Sequence, residues 1–225
     1  MTASASLMKE FTLPEARPLP VLLLLDASGS MAEHGKIEAL NGAVADMLSS
    51  FANEEQLRAA VSVGVIAFGG TVRSHLDVMV AAKAAAAWRP LQARGGTPMG
   101  AVFRSLHSLL DDRAIIPSRS YRPTLILVSD GQPTDEWDTP LRELLASPRA
   151  SKAVRLAMGI GSDADVAMLA RFIDNAETPV FSAAHARDIT KFFRWATMSV
   201  VARTLSTTPD QVVAVTIDDD DNFRY

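Results

Sequence analysis

The chain of 225 residues contains no cysteine. Disulfides, thiolate nucleophiles and zinc–cysteine centres are therefore excluded, and a reducing compartment is compatible with the composition. No apolar run approaches the roughly 20 residues needed to span a bilayer. The N-terminal twenty residues carry acids and prolines and lack a continuous apolar stretch of signal-peptide length. A soluble, cytoplasmic protein with no membrane partner is expected. Basic residues are not in excess either: 22 Lys and Arg stand against 26 Asp and Glu, a net charge of −4. Nucleic acid is not an expected partner, because nothing is left over to neutralise phosphates. Neither a P-loop nor G-x-G-x-x-G follows the first strand, and no G-x-S-x-G elbow surrounds its serines. With 48% hydrophobic residues, the chain can still build a substantial core.

What is present is a run, VLLLLDASGSM, from Val21 to Met31. Five apolar residues stopping at an aspartate read as a strand buried on both faces, the type found in parallel sheets. PTLILVSD, ending at Asp130, repeats that form. Between and after these two, β-branched strands at residues 61–68 and 153–158 alternate with stretches of helical spacing, such as 37–51 and 189–202. Residues 71–78 are expected to pair with 61–68 as a hairpin. Pro14, Pro18 and Pro20 are expected to keep residues 1–17 out of regular structure. The pattern predicts an α/β fold: a doubly wound, mostly parallel central sheet with one antiparallel edge strand and helices on both faces.

In such a sheet, ligands sit at the carboxyl ends of the strands, where the strand order reverses. The strands ending in Asp26 and Asp130 are the natural central pair. Asp26, Ser28 and Ser30 then lie at one strand end and Asp130 at the other, while Thr97 follows two glycines in a loop between them. These five hard oxygen donors suit Mg²⁺, with Mn²⁺ or Ca²⁺ as alternatives, and leave room for water and one outside ligand. The loaded site is expected to keep a positive charge that draws a carboxylate from a protein partner. Asp26 is expected to be solvent-accessible, so its replacement by alanine should remove metal binding and spare the fold. His34 and Asp135 are candidates for a partner-binding rim. Met31, Met99, Trp88 and Trp195 are expected to pack.

Asp26-Ala27-Ser28-Gly29-Ser30 resembles the DxSxS signature of von Willebrand factor A (vWA) domains and their metal-ion-dependent adhesion site (MIDAS). Gly96-Thr97-Pro98 is similar to that family's threonine loop, and Ser129-Asp130-Gly131 to its second aspartate loop. The resemblance implies a Rossmann-like domain over residues 18–205; residues 206–225 are expected to be a C-terminal tail, an extra strand plus an acidic end. It implies Ser28, Ser30 and Thr97 as direct or near-direct metal ligands, and Asp26 and Asp130 often acting through water. DASGSM, GGTPMG and SDGQPTD together most resemble the bacterial TerY-type proteins of tellurium resistance and stress response. A non-enzymatic interaction module with no catalytic residue is the expectation. Two other readings stay open: a scaffold whose metal is purely structural, and a Mg²⁺-dependent phosphoryl-transfer enzyme. Against the second, position 28 is serine where a general acid would be needed. No lysine lies in the three loops.

Overall fold

A computed structural model describes residues 16–54 and 59–210. Most of the N-terminal lead-in, the possible strand at 211–217 and the acidic run at 218–221 lie outside the described residues. Six strands form one sheet in the order β3-β2-β1-β4-β5-β6. They are β1 (Pro18–Asp26), β2 (Ala60–Gly69), β3 (Thr71–Val80), β4 (Thr124–Ser129), β5 (Val154–Ile160) and β6 (Phe181–Ala183). Every pairing is parallel except that of β2 with β3, the expected antiparallel hairpin at one edge. The helices are α1 (Lys36–Asn53), α2 (Ala81–Ala87), α3 (Met99–Asp111), α4 (Asp138–Ala146), α5 (Val166–Ile173) and α6 (Ala186–Leu205).

β1 explains the architecture. Its side chains alternate between two cores: Val21, Leu23 and Leu25 meet α1, α2 and α6, while Leu22 and Leu24 meet α3, α4 and α5. A strand with both faces covered has no use for a polar position, which is why its apolar run is continuous. Met31 and Met99 are fully buried, and Trp88 and Trp195 pack against the core that contains α6. One boundary differs from expectation: the strand starts at Pro18 and includes Pro20. The Pro18 carbonyl accepts from Tyr121 N–H at 2.8 Å, so Pro18, and by alternation Pro20, face the β4 side. Pairing with β4 begins only at Val21. The missing proline N–H groups therefore fall where no strand needs them.

β1 lies between β2 and β4, and β4 leads away to β5 and β6. The order reverses between β1 and β4, so their carboxyl ends, Asp26 and Ser129-Asp130, flank the switch point.

Candidate metal centre

Asp26 is wholly buried, which corrects the expectation of an accessible carboxylate. One oxygen accepts from Ser28 N–H at 2.7 Å and the other from the Ser129 hydroxyl at 2.6 Å. Burial pushes its carboxyl up from 3.8 to about 6; the Ser129 and Ser28 hydrogen bonds oppose the rise and the Asp130 charge adds to it. Asp26 thus organises the loop from beneath, and Ser129 holds it. Ser129 was legible as part of SDG, yet nothing in the sequence showed that its hydroxyl turns back to Asp26.

Above Asp26, the other donors converge. The Ser30 hydroxyl donates to Asp130 Oδ1 at 2.7 Å, with Ser28 Oγ 3.1 Å from Ser30 Oγ and 3.4 Å from the same carboxylate oxygen. Thr97, 4% exposed, stands across Gly131: a Cβ at that glycine would lie 3.5 Å from Thr97 Oγ1 and 3.9 Å from Ser30 Oγ. All five expected donors meet at the ends of β1 and β4 and the loop before α3. Neutral hydroxyls with two carboxylates form a hard donor set without imidazole or thiolate, and a divalent cation of the Mg²⁺ type fits it.

A sixth residue joins them. Lys36, at the start of α1, places Nζ 2.8 Å from Asp130 Oδ2 and is 17% exposed. The chain reaches it through a 3₁₀ turn at Gly29–Ala32 and two left-handed residues, His34 (φ 55) and Gly35 (φ 71). No lysine stands in the three loops of the sequence; the structure brings one in from a helix. The charge count changes with it. Two carboxylates formally cancel a dication, so the positive charge expected on a loaded site has its source in Lys36 and not in the ion.

The site opens onto a cleft of about 530 Å³ whose walls include Ser30, Glu33, His34, Lys36, Asp130 and His185. His34, with its side chain 83% exposed, is on this wall. Asp135 is engaged at the start of α3. Its two oxygens accept from Gly100 N–H at 2.8 Å and Ala101 N–H at 3.0 Å. Helix α3 begins after Pro98, which supplies no side-chain cap, and Asp135 satisfies those N–H groups from across the site. Asp135→Ala is expected to lower unfolding stability by about 1–2 kcal/mol in urea denaturation. Its effect on Mg²⁺ affinity should be smaller than that of Thr97→Ala.

The family model described as von Willebrand factor type A domain matches residues 21–132, the span that carries all five donors. Over that span the chain is similar to a vWA domain. Solved structures agree on the fold. The von Willebrand factor type A protein from Catenulispora acidiphila superposes with a TM-score of 0.66 at 21% identity, covering 82% of this chain and 42% of that one. Proximal thread matrix protein 1 from the mussel byssus, whose MIDAS motif is zinc-occupied, gives 0.65 at 13% identity, covering 83% and 48%. The pilus adhesin SpaC from Lactobacillus rhamnosus GG gives 0.67 at 16%, covering 84% and 31%. The chain thus spans less than half the length of each of these three relatives. No curated protein matches the sequence. Among the described residues, no helix is long and apolar enough to cross a membrane.

Proposed function

We propose that this vWA chain is a non-enzymatic, divalent-metal-dependent interaction module that captures an Asp or Glu side chain of a partner protein. Asp26, Ser28, Ser30, Thr97 and Asp130 would hold Mg²⁺, with Mn²⁺ or Ca²⁺ as alternatives. The observation that carries the reading is the convergence of Ser28 Oγ and Ser30 Oγ on Asp130 Oδ1, beside a second buried carboxylate at the mouth of an open cleft. A cation bound there supplies an electrophilic centre for a carboxylate, and the chain's residues fix its position. The cytoplasmic setting in bacterial tellurium resistance or stress response rests on the resemblance of the three loop motifs alone.

Phosphoryl transfer finds less support. Lys36 would offer a cation beside the site, but Asp26 is wholly buried beneath the loop and held there by Ser28 and Ser129, out of reach of an incoming phosphoryl group. Position 28 offers a hydroxyl in place of a carboxylic acid. The deciding experiment is a pull-down from lysate in Mg²⁺ and in EDTA, with Asp26→Ala alongside, after calorimetry has measured Mg²⁺ binding to both proteins. Wild type should bind Mg²⁺ and hold a partner only in its presence, and Asp26→Ala should do neither. Partners indifferent to chelator and mutation would leave the metal a structural pin. Absence of Mg²⁺ binding by wild type would remove the metal reading itself.

A further inference from the structure

We propose that Lys36 makes the loaded site a receptor for anions: it weakens the grip on the cation and strengthens the grip on the partner's carboxylate. The inference rests on the metal reading above and adds the residue that sets its ligand preference.

The two oxygens of Asp130 face different ways. Oδ1 takes the hydroxyls of Ser30 and Ser28, and Oδ2 takes the Lys36 ammonium at 2.8 Å. The lysine thus holds the oxygen that the hydroxyl cluster leaves, and it need not vacate its place when the hydroxyl side takes a cation. Nζ also lies on the open side of the site: it is 4.0 Å from where a Cβ on Gly161 would be, and Lys36 and Gly161 both line the cleft. A ligand entering through the cleft therefore meets a wall that carries this ammonium.

The charges then decide the ligand. Asp26 and Asp130 with Lys36 carry one net negative charge, and a dication turns this into one net positive charge. Without the lysine, the same site goes from two negative charges to none. A neighbouring cation in a partly buried site repels a dication and attracts a carboxylate, so its removal must move the two affinities in opposite directions. Removing a lysine that merely propped up Asp130 would lower both together. The remaining groups on the cleft wall are Glu33, His34, Asp163 and His185. None of these is a lysine or arginine, so Lys36 is the permanent cation of this wall, and Glu33 and Asp163 oppose it equally in wild type and in a lysine variant. The geometry therefore points to a partner whose acidic side chain is recognised by two poles.

The test compares wild type with Lys36→Gln and Lys36→Arg. Mg²⁺ affinity is measured by calorimetry on metal-stripped protein. Acetate, as the carboxylate probe, is titrated by NMR at saturating Mg²⁺, with near-UV circular dichroism showing that each variant is folded. Lys36→Gln should bind Mg²⁺ about tenfold more tightly and acetate about tenfold more weakly. Lys36→Arg, which keeps the charge, should stay within about threefold of wild type in both. Unchanged or weaker Mg²⁺ binding by Lys36→Gln, or an unchanged acetate affinity, overturns the lysine inference while the metal reading stands. Wild type that binds no Mg²⁺ overturns both.

Discussion

Asp26→Asn is expected to raise the stability of the metal-free protein at pH 7 while abolishing Mg²⁺ binding. Asp26 titrates at about 6 in the fold against 3.8 in the unfolded chain, mainly because it is buried. The native state holds this proton more tightly than the unfolded state does. The group's stabilising contribution is therefore complete below pH 3.8 and lost as pH rises through about 6. The shift corresponds to about 3 kcal/mol that the ionised carboxylate removes from the metal-free fold at neutral pH. Asparagine keeps the shape and stays neutral. Its oxygen can accept from Ser28 N–H, and its amide can donate to the Ser129 hydroxyl, which can reverse its role. In EDTA at pH 7, Asp26→Asn should melt roughly 6–12 °C above wild type. The difference should vanish near pH 4. Millimolar Mg²⁺ should stabilise wild type and leave the variant unmoved. A variant that melts below wild type in EDTA at pH 7 would show that ionised Asp26 stabilises the fold without any cation.

Burial of that carboxylate marks the boundary of what the sequence could reveal. A short apolar run that stops at Asp and turn residues points to β1 and β4, because a strand covered on both faces is written that way, and their pairing follows from the switch-point rule. The five donors follow from residue type and loop order. The depth of Asp26 depends on something else: β1 pairs with β2 as far as Asp26 opposite Phe68, and Ala27 N–H continues that ladder to the Phe68 carbonyl at 2.7 Å. No local pattern records such a long-range pairing. Lys36 stayed hidden because its reach depends on the reversal at His34 and Gly35, both left-handed. Histidine is a less usual residue in that conformation than glycine, and helical periodicity begins only after it. The hold of Asp135 on α3 was hidden because the helix end that it satisfies is 34 to 35 residues earlier in the chain. Pro18 and Pro20 looked like breakers because the side of the strand they face is set by where β4 begins.

Gly95→Ala is expected to cost both stability and Mg²⁺ affinity. Gly95 has φ +72, and a Cβ there would lie 2.5 Å from Gly70 Cα and 2.6 Å from Gly70 N. Those neighbours are backbone and cannot rotate away. The same few residues tie three loops together: Gly29 N–H donates to the Gly95 carbonyl at 2.8 Å, Gly70 N–H to Gly96 at 2.7 Å, and Arg94 N–H to Ala27 at 2.7 Å. Relieving the overlap means moving the Gly95–Gly96 segment off Gly70, and Thr97 follows directly. Left-handed strain and the backbone clash together should lower unfolding stability by about 3–5 kcal/mol. Mg²⁺ affinity should fall more than tenfold in calorimetry even at temperatures where the protein stays folded, because Thr97 leaves its place opposite Ser30. Gly42→Ala is the matched control. Gly42 lies within α1 with nothing within 4 Å of its added Cβ, so it should stabilise by about 0.5–1 kcal/mol and leave Mg²⁺ binding alone. If Gly95→Ala lost stability but kept wild-type Mg²⁺ affinity, the glycine contact would be a fold element only. Thr97 would then be positioned from its other side, where its carbonyl accepts from Thr134 N–H at 2.9 Å.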